Sequence, residues 1–211
     1  NNLLKDNNLT AIKYNQEFLT NKNPLSPTNR ILTSLLSRNR LHFILKYSLT
    51  YIKELNNFNK HIMRYPQVFG TLAIKKNLDE DIKKGIIWHT QGSGKTALAY
   101  YNVRFLTDFY KQKKIIPKFY FIVDRLDLLV QAKREFNSRG LSVHTINTRD
   151  EFAKEIKSIT VVHNSSGKSE ITVVNIQKFK DDPNVIRNLD YDLKVQRIYF
   201  LDEVHRSYNP K

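Results

Sequence analysis

GIIWHTQGSGKT, residues 85–96, is the stretch on which the fold turns. It opens on apolar residues, passes through a glycine-rich turn, and ends with Lys95 and Thr96 at the start of a run with helical spacing. A loop of the form G-x-x-x-x-G-K-[ST] needs glycines where backbone N–H groups turn inward on phosphate oxygens. It also needs a lysine that reaches the terminal phosphates and a hydroxyl that can ligate magnesium. Gln91, Gly92, Ser93, Gly94, Lys95 and Thr96 meet that requirement, whereas His89 stands where the first small residue is wanted. Phosphate cradle and tight structural turn are therefore both open, and the flanking chain has to decide between them.

Outward from the loop, short apolar runs alternate with amphipathic ones. Strands are expected at residues 85–89, 118–123, 141–146, 171–175 and 196–201. A helix is expected after the loop, with Leu98, Tyr101, Phe105, Leu106 and Phe109 on one face. Another carries Leu129, Ala132 and Phe136 in phase and ends at Gly140 in a left-handed cap. A third begins at a capping box, Thr148 with Glu151. Strands with almost no polar alternation, such as FYFIV and IYFL, indicate burial on both faces. The expected fold is therefore α/β, a parallel sheet covered by helices on both sides. Ligands of such sheets sit at the carboxyl ends of the strands.

Before the loop the pattern differs. NKNPLSPTN at 21–29 reads as a loop, and an apolar stripe from Leu35 through Tyr47, Leu49 and Ile52 reads as mostly helical, interleaved with Arg38, Arg40, Lys46 and Lys53. We expect residues 1–60 to form a mainly helical appendage and 61–211 the main domain. The net charge of +15 among 211 residues points to a polyanionic partner, nucleic acid before a membrane surface. Solubility, or the lysine bias of an AT-rich genome, accounts for the same charge. The absence of cysteine removes disulfides, thiolate metal sites and cysteine nucleophiles. No apolar run approaches the roughly 20 residues of a membrane helix, and residues 1–10 lack the regions of a signal peptide. A cytoplasmic chain without a membrane partner is expected.

Two further stretches test the loop. SSGKS at 165–169 also contains Gly-Lys-Ser, but Val162 stands at the first glycine position and a strand follows, so it reads as a surface turn. In RIYFLDEVHRS, residues 197–207, an apolar strand ends in two carboxylates. Asp202 is suited to holding magnesium and Glu203 to polarising an attacking water. In isolation such a pair is only a solvated strand end; downstream of a phosphate loop it supplies the metal half of the same chemistry.

With both on the page, the chain resembles superfamily 2 DExH helicases and translocases, whose ATPase lobe has a RecA-like P-loop fold. WHTQGSGKT, FIVDRLDLLVQ (121–131), TVVNIQKF (172–179) and FLDEVHRS (200–207) stand in the order and spacing of the motor region of the R subunit of type I restriction-modification enzymes. The resemblance spans residues 31–211, and Trp88 and His89 before the loop are typical of that family. It implies ATP and Mg2+ as cofactors, ATP-driven movement on duplex DNA, and modification (M) and specificity (S) subunits as partners. Residue by residue, it implies adenine recognition for Gln67 and coupling of the ATP site to later motifs for His205. It implies DNA contact for Asp124, Arg125 and Gln131 and, in the later motif, for Asn175, Gln177 and Lys178. In the family a Mg-dependent nuclease precedes the motor. Residues 1–60 carry only Asp6, Glu17 and Glu54 as acids and no E-x-K triplet, so they are expected to be that domain's tail or a linker from it. The second lobe and its arginine are expected to be missing, leaving the chain as given a weak nucleotide binder. A DExH helicase without a nuclease, or a DNA-binding scaffold with a structural ATP site, remains open on these residues.

Overall fold

The structure, a computed structural model, describes residues 36, 38–54, 57–90, 92–157, 169–175 and 194–202. Gln91, Gln177, Lys178, Glu203, His205 and nearly all of the 165–169 turn lie outside the described residues. The chain divides into two compact units between Ser48 and Leu49. In the first, α1 (Arg38–Phe43) runs into a π-helical turn (Ile44–Ser48). The Phe43 and Tyr47 rings meet there at 5.4 Å.

The second unit opens with a hairpin of β1 (Leu49–Glu54) and β2 (Asn57–Ile62), where the helical stripe was expected to continue through Leu49 and Ile52. That expectation is corrected by a period of two: Thr50 and Ile52 are buried while Tyr51 and Lys53 are exposed. A polar Thr50 on the inward face hides the alternation. It is accommodated by a 2.8 Å hydrogen bond with the Tyr100 hydroxyl, and Arg104 donates to the Leu49 carbonyl at 2.6 Å.

Two helices follow, α2 (Tyr65–Asp79) and α3 (Lys95–Gln112), and they pack on each other. Residues 85–89 between them form no ladder, and this corrects the expected first strand. An apolar run becomes a strand only when a neighbour takes up its backbone groups. Here Ile86 and Trp88 are each 92% exposed.

The remaining elements are β3 (Ile116–Val123), α4 (Leu126–Ser138), β4 (Ser142–Ile146), α5 (Arg149–Lys157), β5 (Glu170–Asn175) and β6 (Val195–Leu201). Four expected strands are thus present, in one parallel sheet of order β4–β5–β3–β6. Gly140 takes φ +85° and the Leu141 N–H closes back on the Phe136 carbonyl at 3.1 Å, the glycine cap expected of α4.

Successive residues of β3 show that both faces are covered, because side chains alternate across a strand. Phe121 meets Phe136 of α4 edge-on at 5.2 Å, and Tyr120 meets Phe152 of α5 edge-on at 5.8 Å. On the second face the Tyr120 ring also stacks on Tyr199 of β6 at 5.1 Å.

The nine residues of α5 are too few for a stable isolated helix. Both ends are tied. At the start the expected capping box forms: Thr148 Oγ1 accepts from the Glu151 N–H, and Glu151 Oε2 accepts from the Thr148 N–H, both at 3.3 Å. At the end, Arg197 donates to the Ile156 carbonyl at 2.6 and 2.9 Å, and Lys118 donates to the Glu155 carbonyl at 3.3 Å. Lys118 and Arg197 are register partners on β3 and β6. Two neighbouring cations are tolerable because they face the negative end of a helix dipole and the Glu155 carboxylate, 3.4 Å from Lys118. Arg197→Met keeps an apolar stem and strips the Ile156 carbonyl of its donors. Urea unfolding should show a loss of about 1–2 kcal/mol, and an unchanged midpoint would refute the tie.

Candidate nucleotide site at the phosphate loop

The loop is built around two glycines in the left-handed region. Gly92 has φ +74° and Gly94 φ +81°, conformations that other residues adopt only under strain. The Ser93 N–H closes on the Thr90 carbonyl at 3.3 Å, and the Gly94 carbonyl accepts from Leu98 at 2.9 Å as the first hydrogen bond of α3. Gly94 is the N-cap, and Lys95 is the first helical residue.

Around Gly92 there is open space for an incoming group: a Cβ there would meet nothing within 4 Å. At Gly94 a Cβ would lie 2.7 Å from Nε2 of Gln67. Gln67 is 4% exposed and sits at the third position of α2. Its Oε1 accepts from the Arg64 N–H at 2.9 Å, and its Nε2 donates to the Gly94 carbonyl at 3.0 Å and more weakly to that of Ser93 at 3.5 Å. One amide therefore caps α2 and holds the loop. The first half of this was available from the RYPQ sequence, because a proline near the start of a helix sets the register and puts Gln67 at the capping-box position. The contact with Gly94, from a residue so distant in sequence, left no local signal.

His89 fills the space between loop and helix, with Nε2 3.8 Å from the Cβ position of Gly70. Burial, then the charge of Lys95, pull its pKa below the usual imidazole value, against a hydrogen bond to the Pro66 carbonyl. The ring is therefore neutral at pH 7 and adds no charge to the cradle.

The charge comes from Lys95. No acidic residue occupies the first turn of α3, and Lys95 has no carboxylate partner among the described residues. A cation at the positive end of a helix dipole is unfavourable on its own. An anion bound to the loop amides reverses that sign, so the residues present fit a nucleotide phosphate.

The other site residues fall along the carboxyl edge of the sheet. Asn175 ends β5 and pairs in register with Val123, Asp124 follows β3, and Asp202 follows β6 with its N–H on the Ile122 carbonyl at 3.0 Å. Asn175 and Asp124 are buried. Arg125 is the N-cap of α4 and is held by Asp127 through two hydrogen bonds of 3.0 and 2.8 Å; Gln131 is exposed on the same helix. Among the described residues no three His, Asp or Glu side chains gather as a metal cage. Magnesium needs only one or two carboxylates when phosphates complete its shell, which suits Thr96 and Asp202.

The SWI2/SNF2 ATPase family model matches residues 66–211. A putative type I restriction enzyme MjaVIIP endonuclease subunit from Methanocaldococcus jannaschii is 32% identical over 154 residues, 65% of this chain and 14% of that protein. The type I restriction enzyme SsaAORF53P endonuclease subunit from Staphylococcus saprophyticus is 34% identical over 148 residues, 69% of this chain and 14% of that protein. The C-terminal part of a putative type I restriction enzyme MpnIIP endonuclease subunit from Mycoplasma pneumoniae is 28% identical over 166 residues, 72% of this chain and 75% of that protein. The chain thus spans about a seventh of the length of the first two relatives.

Gly94→Ala must relax a left-handed backbone and displace the Gln67 amide, whereas Gly92→Ala meets only the first cost. Thermal unfolding should show Gly94→Ala as the more damaging by about 1 kcal/mol or more. Adding Gln67→Ala should recover part of the difference, and purely additive effects would show that the contact carries no energy.

Proposed function

The chain belongs to the SWI2/SNF2 ATPase family, and from that premise we propose that it is the first RecA-like lobe of a DNA translocase in a type I restriction endonuclease R subunit, using ATP and Mg2+. The observation that carries this reading is Lys95 at the start of α3, behind two left-handed glycines, with no acid in the helix's first turn. The likeness to type I restriction enzyme endonuclease subunits supports the choice of system.

In this reading the amides of the loop from Gln91 to Gly94, Ser93 included, cradle the phosphates, and Lys95 neutralises charge that grows on the terminal phosphoryl group. Thr96 and Asp202 would hold magnesium, which when bound would supply positive charge against the phosphates. Glu203 orients and polarises the attacking water, and His205 links the site to later motifs. Gln67, whose amide meets the loop at Gly94, takes the role of reading the adenine edge. Asp124, Arg125 and Gln131, and in the later motif Asn175, Gln177 and Lys178, belong to the two segments that meet duplex DNA, with Asp124 and Asn175 themselves buried. Residues 1–60 would include the tail of a nuclease domain or a linker from it, the hairpin from Leu49 onward belonging to the second unit. M and S subunits supply sequence recognition, and the assembly works in the cytoplasm.

ATP hydrolysis stimulated by duplex DNA, measured on the longest natural polypeptide that carries these residues, tests the reading. Lys95→Ala should lower the stimulated rate by at least about 100-fold. An unstimulated wild type, or an unaffected variant, would overturn it.

A further inference from the structure

We propose that the exposed face of the β1–β2 hairpin is a stacking surface for unpaired nucleotides. The hairpin has two unlike faces. Thr50 and Ile52 of β1 point inward. The other face carries Leu49, Tyr51 and Lys53 from β1 and Phe58, Lys60 and Ile62 from β2. Tyr51 is 58% exposed, Phe58 68% and Ile62 55%.

The register interleaves the rings with cations. Tyr51 stands opposite Lys60 and Lys53 opposite Phe58, and the Lys60 ammonium lies 6.0 Å from the centre of the Tyr51 ring. No acidic residue is on this face. The two aromatic positions are diagonal neighbours, about 7–8 Å apart, which lets each ring take a separate base.

That composition selects the occupant. The core of a protein interface is depleted in lysine, yet here every ring is set against one. A single strand of DNA presents both π-faces and phosphates at this spacing, and it binds to surfaces that combine stacking rings with a basic track. A duplex hides its base faces and could use only the lysines. The inference goes beyond the duplex reading above and rests on it only for the choice of DNA over RNA.

The test is fluorescence anisotropy of a labelled oligothymidine and of a hairpin duplex of equal length, titrated with the protein over a series of salt concentrations. Tyr51→Ala with Phe58→Ala should weaken single-strand binding on the order of 10-fold or more per ring. Duplex affinity should change little, and Tyr51→Phe should retain binding. Lys53→Gln with Lys60→Gln should lower the salt slope for the single strand by about 1.4. Unchanged single-strand affinity in the double alanine variant, or equal loss for both probes, would overturn the proposal. Equal loss would also accompany misfolding, so the lysine pair, whose substitution spares the rings, is read alongside it: an unchanged salt slope there refutes the proposal independently. Failure of the ATPase reading would appear instead as unstimulated hydrolysis in the wild type and would leave this titration unaffected.

Discussion

A missing side chain at Gly94 is the constraint on which the site depends. The backbone there turns left-handed at φ +81°, hands its carbonyl to Leu98 to start α3, and passes so close to Gln67 that a Cβ would overlap the amide. Three things are settled by that residue: the direction of α3, the placement of Lys95 at its positive end, and the attachment of the loop to α2. The 18-residue helix that follows is buried along much of its length, from Leu98 to Tyr110. An anchor so deep in the core holds Gly94 and the start of α3 in place, which spares part of the ordering cost that binding otherwise carries.

The sheet supplies the second half. Parallel strands bring their carboxyl ends to one edge, and β5, β3 and β6 deliver Asn175, Asp124 and Asp202 there as neighbours. The apolar strands thus end in polar side chains, of which Asn175 and Asp124 are buried. Lys118 and Arg197 show the contrasting use of charge. They lie inside strands, turn toward the end of α5, and hold a short helix on the sheet.

What could be read from the sequence follows from how local each feature is. The parallel sheet, the Gly140 cap and the Thr148–Glu151 box depend on runs of a few residues, and the structure shows all three. The first expected strand and the extension of the helical stripe did not survive. Residues 85–89 have a strand's composition without a ladder, and a threonine bonded to Tyr100 disguises the period of β1. Lys118 and Arg197 sit in runs that read as apolar, and their purpose lies in a helix far along the chain. Within the site, the glycines and Lys95 were legible because phosphate chemistry requires them at fixed spacing. The hold of Gln67 on Gly94 was not, since nothing local joins α2 to the loop.

The central claim is that the loop and Lys95 form a site for a nucleoside triphosphate. Titration calorimetry with a non-hydrolysable ATP analogue and magnesium, on the wild type and on Lys95→Ala, addresses it without requiring turnover. Saturable binding that weakens by about 10-fold or more in the variant, a loss of roughly 1.4 kcal/mol or more, is the predicted result. Equal affinity in the two proteins, or no binding to the wild type, would contradict it.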